Sequence, residues 1–257
     1  MASTNDFRGI ALTARLRAAA IHCTLSAIAV GALALLMLQL WYPQPYFTAD
    51  GGWRVLRIIV LVDVVLGPLL TFVVFNRAKH ELLRDLAVIV VIQIAAFVYG
   101  AVTMYQYRPV FLTAAEQNLY TVNWPDLERA NSELGAVSAL ALGQATPVLV
   151  QITLPASTAA RERAWLQAAQ EGILPPHQAA RYAAMTPERM AALLNPGVDI
   201  DSMAKTDAEI AAEIARVIKA HPEVPRARMA FVLLNGRFEL LMLVFDRETG
   251  RVIDWMT

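Results

Sequence analysis

The chain has 257 residues, 22 Lys/Arg against 22 Asp/Glu, and 57% hydrophobic residues, with a mean hydropathy of +0.45. A soluble globular chain rarely averages so high. The balanced charge, with no basic stripe carrying interleaved aromatics, excludes a nucleic-acid module, and a single cysteine, Cys23, excludes an intrachain disulfide framework and a CxxC metal knuckle.

Charge is divided along the chain. Residues 1–108 hold nine Lys/Arg and five Asp/Glu, a net of +4, and residues 109–257 hold thirteen and seventeen, a net of −4. The apolar excess lies in the first 107 residues, and the remainder reads as ordinary globular sequence. This predicts a cytoplasmic N-terminus (1–19), a three-helix transmembrane domain (20–108) and an α+β extracytoplasmic domain with an antiparallel sheet (109–257).

A membrane helix needs about 20 mostly apolar residues. Stretches at 20–42, 54–75 and 86–107 meet that length. The first follows Arg8, Arg15 and Arg17, but its apolar run is too long for a signal h-region and ends in "LWYPQPYF", so it reads as an uncleaved anchor. Arg77, Lys79 and Arg84 follow the second span, whereas "YPQPYFTADGG" after the first has no Lys or Arg. The positive-inside rule therefore places the N-terminus and the 76–85 loop in the cytoplasm and residues 109–257 across the inner membrane, in the periplasm. Arg54, Arg57 and Arg108 stand against this count and would snorkel to outer headgroups. Trp41, Tyr42, Trp53, Tyr105 and Tyr107 fall at the outer interface, where aromatic belts form.

Beyond the spans, "PVFLTAAEQNLYTVNW" predicts one or two strands, and Pro125 opens a helix to about Glu133. "TPVLVQITL" (146–154) is a strand, followed by helices over 157–171, 175–185 and 187–194, the last with Thr186-Pro187 as cap and first turn. Thr206 and Glu209 form a capping box for a helix to His221. The end predicts a three-stranded meander, with a two-residue turn at Asn235-Gly236 and a second turn at "DRETG".

Asp63, inside the second span, is the first candidate for chemistry. A charge at mid-bilayer costs roughly 2.5–3.5 kcal/mol on insertion scales, so the carboxyl must find a donor or a proton. Gln93 is the preferred partner, with His22, Gln39, Thr71 and Thr103 as others. Two readings stay open: a hydrogen bond that locks the bundle, or a docking or proton-linked site for another membrane segment. Gly67-Pro68 predicts a kink, because Pro68 lacks an N–H and crowds the carbonyl of Val64. It is either a packing device or the wall of a groove that admits a partner helix. The loop "WYPQPYFTADGGW" is either a rigid interfacial turn or a platform shared with the tail domain. Cys23 reads as a small apolar filler. His80, His177 and His221 lack metal spacing, and no GxSxG, P-loop, HExxH or GxGxxG is present. No catalytic residue, cofactor or metal is predicted.

"WYPQPYF", "DVVLGPLLT", "DLAVIVVIQ", "YG" and "RPVFL", between Trp41 and Leu112, together resemble the type IV pilin accessory protein family (the TfpX/TfpZ-like group). The resemblance implies a non-catalytic inner-membrane helper in the stability or assembly of a cognate type IV pilin. Asp63, Gly67, Pro68, Thr71 and Gln93 are then candidate contacts to a partner helix. Trp41, Tyr42, Pro43, Pro45, Phe47, Gly51, Gly52, Arg108 and Pro109 are a candidate interfacial platform. The implied partners are the pilin and the lipid bilayer, with no nucleic acid. A membrane-anchored sensor with a periplasmic ligand-binding domain is one alternative, and a glycan-modifying membrane enzyme is another.

Overall fold

The computed structural model describes residues 4–76, 79–130 and 147–257, with side chains described from residue 12 onward. Arg77, the side chain of Arg8 and the predicted helical residues 131–133 lie outside the described residues. The chain divides into two compact units, Met1–Pro43 with Gly52–Gln106, and Gln44–Gly51 with Tyr107–Thr257. The loop after the first apolar helix therefore belongs to the C-terminal unit.

In chain order the first helices are α1 (Thr4–Leu36), α2 (Tyr46–Ala49), α3 (Gly52–Val60), α4 (Gly67–Val74) and α5 (Leu82–Gln106). A π-helical turn, Met37–Trp41, extends α1, and another, Leu61–Leu66, joins α3 to α4. Among the described residues three helices are long and apolar enough to cross a membrane: Leu12–Trp41, Gly52–Val74 and Leu82–Gln106. Their outer surfaces carry exposed Leu25, Ile28, Leu35, Leu69, Val91 and Ile92. Water would penalise such a surface, and hydrocarbon would not, so these helices fit association with a membrane. A π-helical turn stands directly ahead of Gly67-Pro68, the pair for which the sequence predicts a kink.

The second unit is built on β1 (Phe111–Ala115), β2 (Asn118–Val122), β3 (Val148–Ile152), β4 (Tyr182–Ala184), β5 (Met229–Asn235), β6 (Leu240–Asp246) and β7 (Arg251–Met256). They form one seven-stranded sheet in the order β4-β3-β1-β2-β5-β6-β7. The sheet is mixed, which corrects the antiparallel expectation: β1 with β3 and β2 with β5 run parallel. Parallel neighbours cannot be joined by a tight hairpin, and in both pairs the partners are far apart in the chain, with other elements between them. The C-terminal meander is antiparallel throughout.

Among the described residues, the α-helices of this unit after α2 are α6 (Trp124–Arg129), α7 (Thr158–Glu171), α8 (Pro187–Leu194), α9 (Ile200–Ala204) and α10 (Ala208–Ala220). Asn123, Ser157 and Thr186 cap α6, α7 and α8 through their side chains. Two expectations are corrected. Residues 175–185 form short 3₁₀ turns and the edge strand β4, because Pro175-Pro176 removes two successive backbone donors. The cap of α10 is Asp207, whose Oδ1 accepts from Glu209 and Ile210 N–H, while Thr206 Oγ1 donates to Met203 O. An Asp one position nearer the helix takes over the role of the capping-box threonine.

Strand alternation sorts the core. Leu112, Ala114, Leu119, Leu234, Leu241 and Leu243 pack with Leu193 and Leu194 of α8 and with Ala49 of α2. Phe111, Val148 and Val150 pack with Leu127 of α6. Ile214 and Val217 of α10 pack against Phe231, Val244 and Met256.

Candidate functional site

Two constructions bring together residues singled out from the sequence. The first lies inside the helical unit. Asp63 is 5% exposed, Gln93 8% and Thr71 4%, and Gly67 and Pro68 are buried beside them in the chain. Gln93 Nε2 donates to the main-chain carbonyls of Val62 and Asp63, at 3.4 Å each. His22 Nδ1 and Thr71 Oγ1 lie 2.6 Å apart. A Cβ at Gly67 would overlap the Gln93 carboxamide, so the absent side chain makes room for that hydrogen bonding. Gln93 Oε1 is buried with no hydrogen-bond partner among the described residues.

Cys23 adds a contact the sequence reading missed: its Sγ donates to Val64 O at 3.7 Å. Val64 is four residues before Pro68, so its carbonyl loses its ordinary helical donor. Counting four residues back from the proline was the available signal. Consecutive carbonyls of the π-helical turn, Val62, Asp63 and Val64, thus receive donors from Gln93 and Cys23 on neighbouring helices. Val62 O also accepts from Gly67 N–H, so Gln93 adds a second donor there, while an unsatisfied backbone group in hydrocarbon would cost several kcal/mol. The residues considered for contact with a partner helix are turned into their own bundle.

The second construction lies inside the C-terminal unit. Asp50, 7% exposed, accepts from Thr121 Oγ1 at 2.6 Å and from Arg237 N–H at 2.9 Å, both on Oδ1. Ala49 O accepts from Phe238 N–H at 3.0 Å and Glu239 N–H at 3.1 Å. Burial pushes the Asp50 carboxyl up to about 6, although the Thr121 and Arg237 hydrogen bonds oppose that rise. The Tyr46 phenol is pushed up to about 12, by burial first and by Asp50 second. Gly51, at φ +77°, faces the Phe238 ring with no space for a Cβ. Phe47 and Ala49 are fully buried.

These contacts correct the two-residue turn expected at Asn235-Gly236. Asn235 pairs with Leu240 in the β5–β6 ladder, and residues 236–239 form the connection. The N–H groups of Arg237, Phe238 and Glu239 go to Ala49 and Asp50. Asn235 Nδ2 donates to Leu119 O at 3.2 Å. Tertiary partners thus override the local turn preference of Asn-Gly.

The residues proposed as one interfacial platform divide between the units. Trp41, Tyr42, Pro43 and Gly52 belong to the helical unit, and Pro45, Phe47, Gly51, Arg108 and Pro109 to the other. In the helical unit Tyr42 is buried and its hydroxyl donates to Met104 O at 2.9 Å, while the Trp41 and Tyr105 rings meet edge-on at 5.2 Å. An open groove of about 1390 Å³ lies in the C-terminal unit, lined by Tyr120, Gln151, Arg161, Trp165 and Arg189 among others. Among the described residues no cluster of His, Cys, Asp and Glu could hold a metal.

The profile of the family described as Fimbrial assembly protein FimB matches residues 10–51. A fimbrial assembly protein of Dichelobacter nodosus, serogroups C1 and C2, is 40% identical over 92 residues, 35% of this chain and 70% of the relative. The chain belongs to the fimbrial assembly protein family. Members of serogroups E1 and I from the same organism are 41% and 40% identical over 92 residues, and the match spans 36% of the length of each. No solved structure matches the chain. The segment matched by the family profile includes His22 and Cys23 of the interhelical cluster. It also includes Pro45, Phe47, Ala49 and Asp50 of the loop built into the sheet unit.

Proposed function

We propose that this fimbrial assembly protein is a non-catalytic helper of a type IV pilin in the bacterial inner membrane. Membership of the fimbrial assembly protein family is the observation that carries the reading. The N-terminus and the loop between α4 and α5 are cytoplasmic on this reading, by the positive-inside rule, and the sheet unit is periplasmic. Gln44–Gly51 and Tyr107–Thr257 fold together, so they share one side of the membrane. Two crossings between them, by Gly52–Val74 and by Leu82–Gln106, agree with that.

A pilin awaiting assembly offers one apolar helix in the bilayer. Helix association in lipid relies on close packing and interhelical hydrogen bonds. The exposed stripe of α5, Val88, Val91, Val98 and Val102 with Tyr99, repeats at helical spacing. Tyr99 is 76% exposed and lies seven residues before the end of α5 at Gln106, about 10 Å inside at 1.5 Å per residue. Its phenol can donate to a visiting helix at a depth where water is absent. The buried cluster at Asp63 and Gln93 holds the bundle so that this stripe keeps its shape.

A photo-activatable amino acid at Tyr99, in cells making the cognate pilin, tests the reading. The expected product is a crosslink to pilin, absent from the same probe at Leu35 of α1. Loss of the chain with normal piliation, and no crosslink from any exposed α5 position, would overturn it.

A further inference from the structure

The β5–β6 connection is clamped to parts of its own unit that continue directly into apolar helices. Arg237, Phe238 and Glu239 direct their N–H groups to Ala49 and Asp50, and Gly52 begins the second candidate span. The Arg237 guanidinium lies 4.1 Å from the centroid of the Tyr107 ring and 5.6 Å from that of Phe238, and Gln106 ends the third candidate span. Consecutive Cα atoms are about 3.8 Å apart. The tip of the hairpin is therefore held a few residues' reach from two points at which the chain passes into its spans. At that tip Phe238 is 47% exposed and Leu240 62% exposed.

We infer that the β5–β6 tip is a membrane-interface anchor, with Phe238 and Leu240 entering the headgroup and upper acyl region of the bilayer. Chain continuity selects the occupant: wherever Gly52 and Gln106 enter lipid, a hairpin hydrogen-bonded to Ala49 and Asp50 and stacked through Arg237 on Tyr107 meets the headgroups. The chemistry agrees. Phe and Leu side chains enter the headgroup–acyl boundary in interfacial segments, apolar side chains gain by leaving water, and a guanidinium stacked on a ring keeps edge N–H donors for phosphates. The anchor would fix the sheet unit against the membrane surface, whatever partner the helices bind.

The test uses the full chain in vesicles of phosphatidylethanolamine and phosphatidylglycerol, in a Cys23→Ser background that keeps a donor for Val64 O. Single Phe238→Cys, Leu240→Cys and Leu166→Cys variants carry an environment-sensitive fluorophore; Leu166 is 65% exposed on α7 and serves as the reference. The expected result is blue-shifted emission at 238 and 240, quenched by lipids bearing a nitroxide near the headgroup and shielded from aqueous iodide. The label at 166 should be quenched by iodide alone. Leu240, at the first position of β6, gives a reading independent of any disturbance of the Phe238 ring. Labels at 238 and 240 that behave like 166 would overturn the anchor. Labels shielded from both iodide and lipid nitroxides would also overturn it, because a protein would then cover the tip.

Discussion

Thr121 Oγ1 donates a 2.6 Å hydrogen bond to Asp50 across 71 positions of sequence, and it ties a loop between two apolar helices into the sheet unit. Residues 44–51 are part of that unit's core, since Ala49 packs with Leu112, Leu119 and Leu234. Residues 107–257 expressed without the loop should therefore lose stability. Phe47 alone, fully buried, contributes roughly 1.5–3 kcal/mol. A cooperative thermal transition in the isolated fragment, equal in midpoint to that of the same unit in the whole chain, would refute this.

The same carboxyl gives a pH dependence with a definite sign. Asp50 rises from 3.8 to about 6 in the folded chain, mainly through burial, so the folded state holds its proton more tightly than the unfolded one. Stability of the sheet unit is then highest below about pH 4 with respect to this group and falls as pH rises through about 6. The whole effect amounts to about 3 kcal/mol, since each tenfold change in proton affinity is worth about 1.36 kcal/mol. Asp50→Asn keeps an acceptor for Thr121 and Arg237 and should abolish this slope. Asp50→Ala strands both donors and should cost about 1–3 kcal/mol at every pH. Thermal melts of the detergent-solubilised chain between pH 4 and 7.5 distinguish the three proteins.

Asp246 carries the opposite sign. Hydrogen bonds from Arg228 Nε at 3.0 Å and Nη2 at 2.6 Å, with others from Glu248 N–H and Thr249 Oγ1, hold its carboxyl below the usual carboxylate range. The stabilisation is present above the ordinary carboxylate value of 3.8 and is lost as pH falls through the lower folded value. Arg228→Ala should lower the melting temperature at neutral pH and have little effect once Asp246 is protonated. An equal loss at both pH values would show that Arg228 acts through packing and not charge.

Much of this was legible in the sequence because the deciding signals are local. Length and apolarity located the three helices, Thr186-Pro187 announced α8, and the final alternation gave the meander. What stayed hidden depends on distant partners. Asp50 reads as an ordinary turn residue until Thr121 and Arg237 meet it. The Asn-Gly pair at 235–236 has a strong local preference, which Ala49 and Asp50 outweigh by taking the N–H groups that follow. Cys23 gains a role only because Pro68, on another helix, removes the donor of Val64 O. The parallel pairings of β1 with β3 and of β2 with β5 depend on crossovers whose path no strand pattern encodes.

The fit of Gln93 over Gly67 is testable by a double-mutant cycle. Gly67→Ala places a Cβ where the carboxamide sits, and overpacking of this kind costs about 1–3 kcal/mol. Gln93→Ala removes the obstacle together with the donors to Val62 O and Asp63 O. The two changes together should therefore cost clearly less than their sum. Additive losses in the melting of the solubilised protein would mean that the two residues do not share this space.

Asp63 separates a structural role from a docking role. It is 5% exposed, and Gln93 serves its main-chain carbonyl, so its side chain should act on the bundle before it acts on any visitor. Asp63→Asn keeps size and polarity and should preserve the melting temperature, piliation and the crosslink from Tyr99 to pilin. Asp63→Leu should lower the melting temperature by the equivalent of about 1–2 kcal/mol, the scale of interhelical hydrogen bonds in membranes, and should reduce the crosslink in parallel. If Asp63→Leu instead abolished the crosslink while the protein melted as the wild type does, the carboxyl would be a direct contact to pilin. The bundle would then have to open to expose it. Wild-type piliation and melting with both substitutions would leave Asp63 no part in either role.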